Sequence, residues 1–144
     1  MNDNGLEMHV RLIGATQILL ALLHLTFRKR FDWESDLSQL TLLNRQVFYA
    51  HTFFIAFTVF LMGLLSLLAA KHLIVRSPLG TFVAAGMGLF WLARLYCQFF
   101  YYDKRLWANQ PFNTAVHIAF GFAWIWYTLV YGTVFLRQIG LLRP

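Results

Sequence analysis

LNRQVFYAHTFFIAFTVFLMGLLSLLAA, Leu43 to Ala70, decides the fold class. After Arg45 it holds no charged residue, and from Val47 on it is almost continuously apolar. A bilayer core about 30 Å thick takes about 20 residues of helix, at roughly 1.5 Å of rise per residue. This stretch supplies that length and predicts a membrane span over about Val47 to Ala70. Three further runs qualify: Met8 to Phe27, Leu79 to Tyr101 and Asn113 to Leu136.

The composition leads to the same class. Of 144 residues, 59% are hydrophobic and only 12% are charged. A soluble domain carries about twice that share of charge, and a small one has too little interior to bury so much apolar surface. The aromatic content of 18%, with fifteen Phe, suits helices with aromatic belts. The net charge of +6 does not point to nucleic acid, because no soluble segment carries a basic stripe with interleaved aromatics. The basic residues flank the apolar runs, where they match anionic headgroups, so membrane lipids are the expected partners. A single cysteine, Cys97, excludes an intrachain disulfide, a Cys-x-x-Cys pair and a Cys-rich zinc site. MNDNGLEMHVRL lacks a basic n-region and a small-residue cleavage motif, so the first apolar run reads as a retained span.

These features predict one membrane domain over residues 1–144. Its fold class is all-α, polytopic, an antiparallel four-transmembrane-helix bundle, since short connections favour antiparallel neighbours. KHLIVRSP, Lys71 to Pro78, is the shortest connection. Ser77-Pro78 and Asn113 suit helix starts: Ser and Asn cap orphan amides, and Pro is tolerated in the first turn. In DWESDLSQLTLLN, apolar residues recur at Trp33, Leu37, Leu40 and Leu43. That spacing predicts an interfacial amphipathic helix over about residues 33–43, with Asp32 as its N-cap. Close helix approach is expected at Gly80, Ala84, Ala85, Gly86 and Gly88, and at Ala115, Ala119 and Ala123. The aromatic runs FFYYD, Phe99 to Asp103, and WIWY, Trp124 to Tyr127, read as belt and packing residues.

Orientation follows from the loop charges. Four spans place Arg11, Lys71, Arg76, Arg137 and Arg143 on one side, and Arg28, Lys29, Arg30, Arg45, Arg94, Lys104 and Arg105 on the other. Seven against five leans toward the second side being cytoplasmic, with both termini outside. The balance becomes even if Arg45 and Arg94 serve a site.

The same topology gathers costly side chains at one depth. His24 ends the first span, His51 lies one turn into the second, Arg94 and Gln98 occupy the last two turns of the third, and His117 lies one turn into the fourth. Ionisable residues within spans usually face the bundle interior and mark pathways or sites. Asn44, Arg45, His51, Arg94, Gln98 and His117 are therefore the candidate ligand-binding residues. Arginine offers a planar donor fork for an anion, and Asn or Gln adds neutral hydrogen bonds. That set suits a lipid phosphate, a quinone carbonyl or a carboxylate. Asp32, Glu34, Asp36 and Asp103 are candidate partners for Arg45 or Arg94. The bland alternative is a layer that only locks helix packing. His24, His51 and His117 also form a candidate metal set, since imidazole ligates transition metals and facing histidines can hold a haem. No H-x-x-x-H or E-x-x-H pair accompanies them. H-E-x-x-H and G-x-S-x-G are absent, so metalloproteases and serine hydrolases have no motif here.

The histidine that ends the first span, L-N-R-Q-x-F-x-x-H, R-L-x-x-Q-F-F-x-x-D and T-A-V-H together resemble an uncharacterised family of small bacterial four-helix membrane proteins. The resemblance covers nearly the whole chain. It implies this topology and a bacterial inner membrane, and it ties no activity to the motifs. The expected function is thus binding of a lipid headgroup, quinone or other small ligand, or a role as an accessory subunit or homo-oligomer. A haem- or metal-binding redox protein is the alternative.

Overall fold

The computed structural model describes residues 2–107 and 109–142; Arg143, counted in the charge balance, lies outside them. The described residues are helical, with no strand among them. Helix α1 is Asp3–Arg30, α2 Trp33–Asp36, α3 Leu42–Leu68, α4 Ala70–Ile74, α5 Pro78–Tyr96 and α6 Pro111–Gln138. A π-helical turn, Cys97–Tyr101, continues α5, and Lys104–Leu106 forms one 3₁₀ turn. Four helices are long and apolar enough to cross a membrane: Asp3–Arg30, Leu42–Leu68, Pro78–Tyr101 and Pro111–Gln138. Within their most apolar windows only 17% to 33% of residues are buried inside the protein, and many large apolar side chains are exposed. Leu25, Leu79, Phe82 and Phe122 are among them.

The helices run past the apolar cores that announce them. α1 ends on Arg28, Lys29 and Arg30, good helix formers whose cations sit at the negative end of the helix dipole. Ser77 and Pro78 start α5 as expected, with the Ser77 hydroxyl accepting from Gly80 N–H at 3.0 Å. Asn113 does not cap α6, which begins at Pro111; its amide turns back to the Gln110 side chain. The Lys71 to Pro78 connection holds most of α4.

The predicted interfacial helix over 33–43 is far shorter. Only Trp33–Asp36 is helical; beyond it the backbone closes tighter turns, Ser38 N–H to the Ser35 carbonyl and Leu40 N–H to the Leu37 carbonyl, both at 3.1 Å. Leu42 and Leu43 belong to α3, whose N-cap is Thr41, accepting from Asn44 N–H. Asp32 stands before α2 in the left-handed region with no side-chain capping bond.

Packing divides the chain into two compact units, Arg11–Ala70 and Met1–Val10 with Lys71–Pro144. In the Arg11–Ala70 unit, Gly14 meets α3 most closely. A Cβ there would lie 2.5 Å from Leu67 N and 2.8 Å from Gly63 O, so only glycine fits. Arg11 donates to the Leu67 carbonyl at 2.9 Å and supplies a cation to the C-terminus of α3. At the other end of the unit, Trp33 packs edge-on against Phe48 at 4.8 Å, while Phe27 and Phe31 adjoin the same indole. Trp33 thus anchors the turn although the helix behind it is short.

In the second unit, α5 and α6 pass in opposite directions, for Gly80 lies against Gln138, Gly88 against Tyr131 and Gln98 against His117. Their seam is aromatic. Trp91 stacks on Trp124 at 4.9 Å, meets Tyr127 edge-on at 4.7 Å and is 1% exposed. Phe120 also stacks on Trp124 at 5.2 Å. Of the small residues expected at close contacts, Gly80 and Ala84 are buried and Gly80 and Gly88 meet α6, but Ala115 and Ala119 are exposed and a Cβ on Gly86 would meet nothing. Bulky rings fill the rest of this seam.

Candidate functional site

Gln98 is the centre of the polar cluster between α5 and α6, and it is 4% exposed. It lies on the π-helical turn, the kind of widened turn that frequently marks functional positions. Its Oε1 accepts from Arg94 Nη1 at 3.1 Å and from Trp124 Nε1 at 3.2 Å. Neither partner can accept a hydrogen bond, so the atom between them is the amide oxygen. The amide nitrogen is thereby turned to His117, 2.6 Å from Nδ1 and 3.4 Å from the carbonyl. Nδ1 must accept, so the neutral ring carries its hydrogen on Nε2. One buried amide fixes the tautomer of a histidine nineteen residues away.

Aromatic faces enclose both ends of this network. The Arg94 guanidinium carbon lies 5.1 Å from the Trp124 ring centroid and 5.5 Å from that of Tyr102. Such contacts stabilise a partly desolvated cation by about 1 kcal/mol. The Trp107 ring centroid lies 4.2 Å from that of His117, and the Phe99 ring, nearly perpendicular to the imidazole, lies 5.8 Å away. Arg94 and His117 are both half-buried. Two kinds of donor stand outside the network: the rest of the Arg94 fork and the His117 Nε2–H. A carbonyl, phosphate or carboxylate oxygen is the complementary group.

The structure joins three of the six candidate ligand-binding residues, Arg94, Gln98 and His117. Asn44, Arg45 and His51 lie in the Arg11–Ala70 unit, where Asn44 and His51 are exposed and Arg45 is half-buried. His24, in that unit too, donates from Nδ1 to the Leu20 carbonyl at 2.8 Å and packs on Phe27 at 4.5 Å. Its Nε2 therefore holds a lone pair, the form that ligates a metal, whereas His117 presents Nε2–H. Among the described residues, no group of three or more His, Cys, Asp or Glu is placed to hold a metal ion.

Two of the four expected carboxylate partners for Arg94 or Arg45, Glu34 and Asp103, are engaged elsewhere. Glu34 pairs with Arg28 at 3.3 Å. Asp103 accepts from the Arg105 guanidinium at 2.6 Å and 2.9 Å and from its backbone N–H at 2.8 Å. These bonds hold the Asp103 carboxyl below the usual carboxylate range and push the Arg105 guanidinium up.

A second cluster, at the other end of the α5–α6 pair, was not anticipated. Gln138, 8% exposed, donates from Nε2 to the carbonyls of Leu73 at 2.6 Å and Val75 at 2.9 Å. Its Oε1 accepts from Ser77 N–H at 2.9 Å. Beside it, Arg76 Nε donates to the Arg137 carbonyl at 2.9 Å, and Arg137 Nη1 reaches Asp3 at 2.6 Å. Nothing in the spacing of Arg76, Arg137 and Gln138 announces this.

Comparison of the chain with family models, with curated proteins and with solved structures found no match. The function must be argued from the two clusters themselves.

Proposed function

We propose that this is a small multi-pass protein of the bacterial inner membrane, with its four long helices forming an antiparallel bundle, and that it binds an acceptor-bearing amphiphile near one membrane face. Arg94 and His117 are the contact residues, and Gln98 positions both. The amphiphile is a quinone or a lipid headgroup, which share oxygens that accept from N–H donors. Four apolar helices with outward-facing side chains support the membrane assignment. The bacterial inner membrane rests on the resemblance of the motifs. The observation that carries the binding reading is the Gln98 amide. Its orientation is forced, so the unused N–H groups of Arg94 and His117 stand preorganised beside aromatic faces.

The test is mass spectrometry of lipids and quinones that copurify in a mild non-ionic detergent. Wild type is expected to retain one species that falls at least tenfold in Arg94→Gln and in His117→Phe. A wild type that retains no enriched species, or variants that retain it undiminished, would sink the reading. A second reading has its own observation: every polar atom of the Gln98 amide is used inside the protein. A network so complete is what a helix lock requires. Variants that lose only thermal stability would favour that lock, as in an accessory subunit.

A further inference from the structure

The cluster around Arg137 borders a cavity of about 200 Å³ lined by Asp3, Ile74, Val75, Arg76, Arg137 and Leu142. That is well above the about 15 Å³ needed to admit one water. Two guanidinium groups and one carboxylate line it, so its formal charge is positive. The Arg137 side chain is 9% exposed, whereas the Asp3 side chain that pairs with it is 64% exposed. A buried cation must keep an anion beside it, because an uncompensated buried charge is costly. An anion beside it comes from the first turn of α1, where the solvent-facing Asp3 carboxylate contacts Nη1. Arg76 lines the cavity too; its Nε is anchored on the Arg137 carbonyl at the end of α6, and its guanidinium packs beside Gly140. Ile74, Val75 and Leu142 supply apolar wall beside the charges.

We propose that this cavity is a second binding site, for the phosphate or carboxylate of an amphiphilic anion, and that Asp3 occupies the anion's place until the ligand displaces it. Arg137 and Arg76 hold the oxyanion, and the apolar wall takes the aliphatic part. Arg137 lies twenty residues beyond His117 on one helix, about 30 Å at the helical rise. The two sites thus stand at opposite ends of the α5–α6 pair, and this one does not depend on the binding reading for Arg94.

The proposal is tested on the full-length protein in neutral detergent and in nanodiscs, with wild type, Asp3→Asn, Arg76→Gln and the double variant. The probes are inorganic phosphate by titration calorimetry, and spin-labelled phosphatidylglycerol against spin-labelled phosphatidylcholine. Asp3→Asn is expected to tighten anion binding at least threefold over wild type, since the internal competitor is gone. Arg76→Gln is expected to weaken it at least threefold in either background. An effect on phosphate and phosphatidylglycerol alike assigns the site to the oxyanion itself, and an effect on phosphatidylglycerol alone assigns it to a lipid headgroup. Both outcomes support the site. Equal binding by wild type and Asp3→Asn, or no loss on removing Arg76, would overturn it. Arg94→Gln separates the two sites, because the gain from Asp3→Asn must persist in that background. If Asp3→Asn unfolds, Arg76→Gln in the wild-type background still decides through the loss of phosphatidylglycerol selectivity.

Discussion

The α5–α6 pair carries a buried glutamine at each end, and the two are satisfied in opposite ways. Gln138 spends its amide on backbone: two carbonyls at the end of α4 and the N–H of Ser77 at the start of α5. Gln98 spends its amide chiefly on side chains, those of Arg94, Trp124 and His117. Helix ends leave orphan backbone groups that require partners. A glutamine that supplies them splices two helices, and the groups it holds have no chemistry beyond the peptide. A glutamine that holds an arginine and a histidine sets the direction of their remaining donors. Equal burial thus serves structure at one end and positioning at the other.

The largest expected effect tests the splice. Gln138→Leu keeps the bulk and removes every hydrogen bond, which strips the Leu73 and Val75 carbonyls and the Ser77 N–H. Each buried group left unsatisfied costs about 1–3 kcal/mol, so stripping all of them is expected to cost at least about 3 kcal/mol. Equilibrium unfolding in mixed micelles measures it. A loss below about 1 kcal/mol would mean that water reaches these groups, and the contrast between the two ends would fail. Gly80 reinforces the expectation, because a Cβ there would lie 2.7 Å from the Gln138 amide nitrogen.

The middle effect belongs to Gln98 and concerns a proton more than stability. In Gln98→Glu, the carboxylate still accepts from Arg94 and Trp124, but its second oxygen faces His117 Nδ1 as an acceptor. The ring must then carry a hydrogen on Nδ1. Nitrogen-15 NMR of the imidazole is expected to show Nε2–H with an unprotonated Nδ1 in wild type, and a protonated Nδ1 in the variant. Wild-type Nδ1–H would show that the amide is turned the other way, and the donor set at Arg94 and His117 would lose its basis. Stability is expected to fall by about 1 kcal/mol, the ordinary worth of one hydrogen bond.

How far the sequence reached follows from which physics is local. Four long apolar helices are legible because length and hydropathy are properties of contiguous residues, and Ser77-Pro78 is legible because capping acts within one turn. The interfacial helix over-reads the spacing of Leu37, Leu40 and Leu43; after Asp36 the backbone closes tight turns at Ser38 and Leu40 instead. Depth along a helix is countable, so Arg94, Gln98 and His117 could be placed at one level. Direction around a helix is not, since each residue turns the side chain by about 100°. That is why the Trp124 indole donor in the Gln98 network, and the whole Gln138 cluster, stayed hidden. Gln138 bonds residues more than sixty positions away, a contact that no single sequence displays.

The smallest effect lies in the loop that follows the Gln98 turn. Asp103 is exposed and its carboxyl is held below the usual range, first by the Arg105 side chain and then by the Arg105 backbone N–H. A carboxyl that is more acidic when folded contributes stability above its unfolded pKa, about 3.9, and loses it as pH falls through the lower folded value. Between pH 5 and 8 the protein is therefore expected to show no pH dependence from this pair, and below about pH 4 a slight one. Carbon-13 NMR of the carboxyl is expected to give a titration midpoint below that of an unpaired aspartate. In Asp103→Asn the acid-side slope should vanish while the Gln98→Glu tautomer change remains. If Asp103→Asn alters the His117 tautomer as well, the loop and the glutamine act as one unit, and the positioning role spreads beyond Gln98. If it does not, His117 takes its tautomer from the buried amide alone.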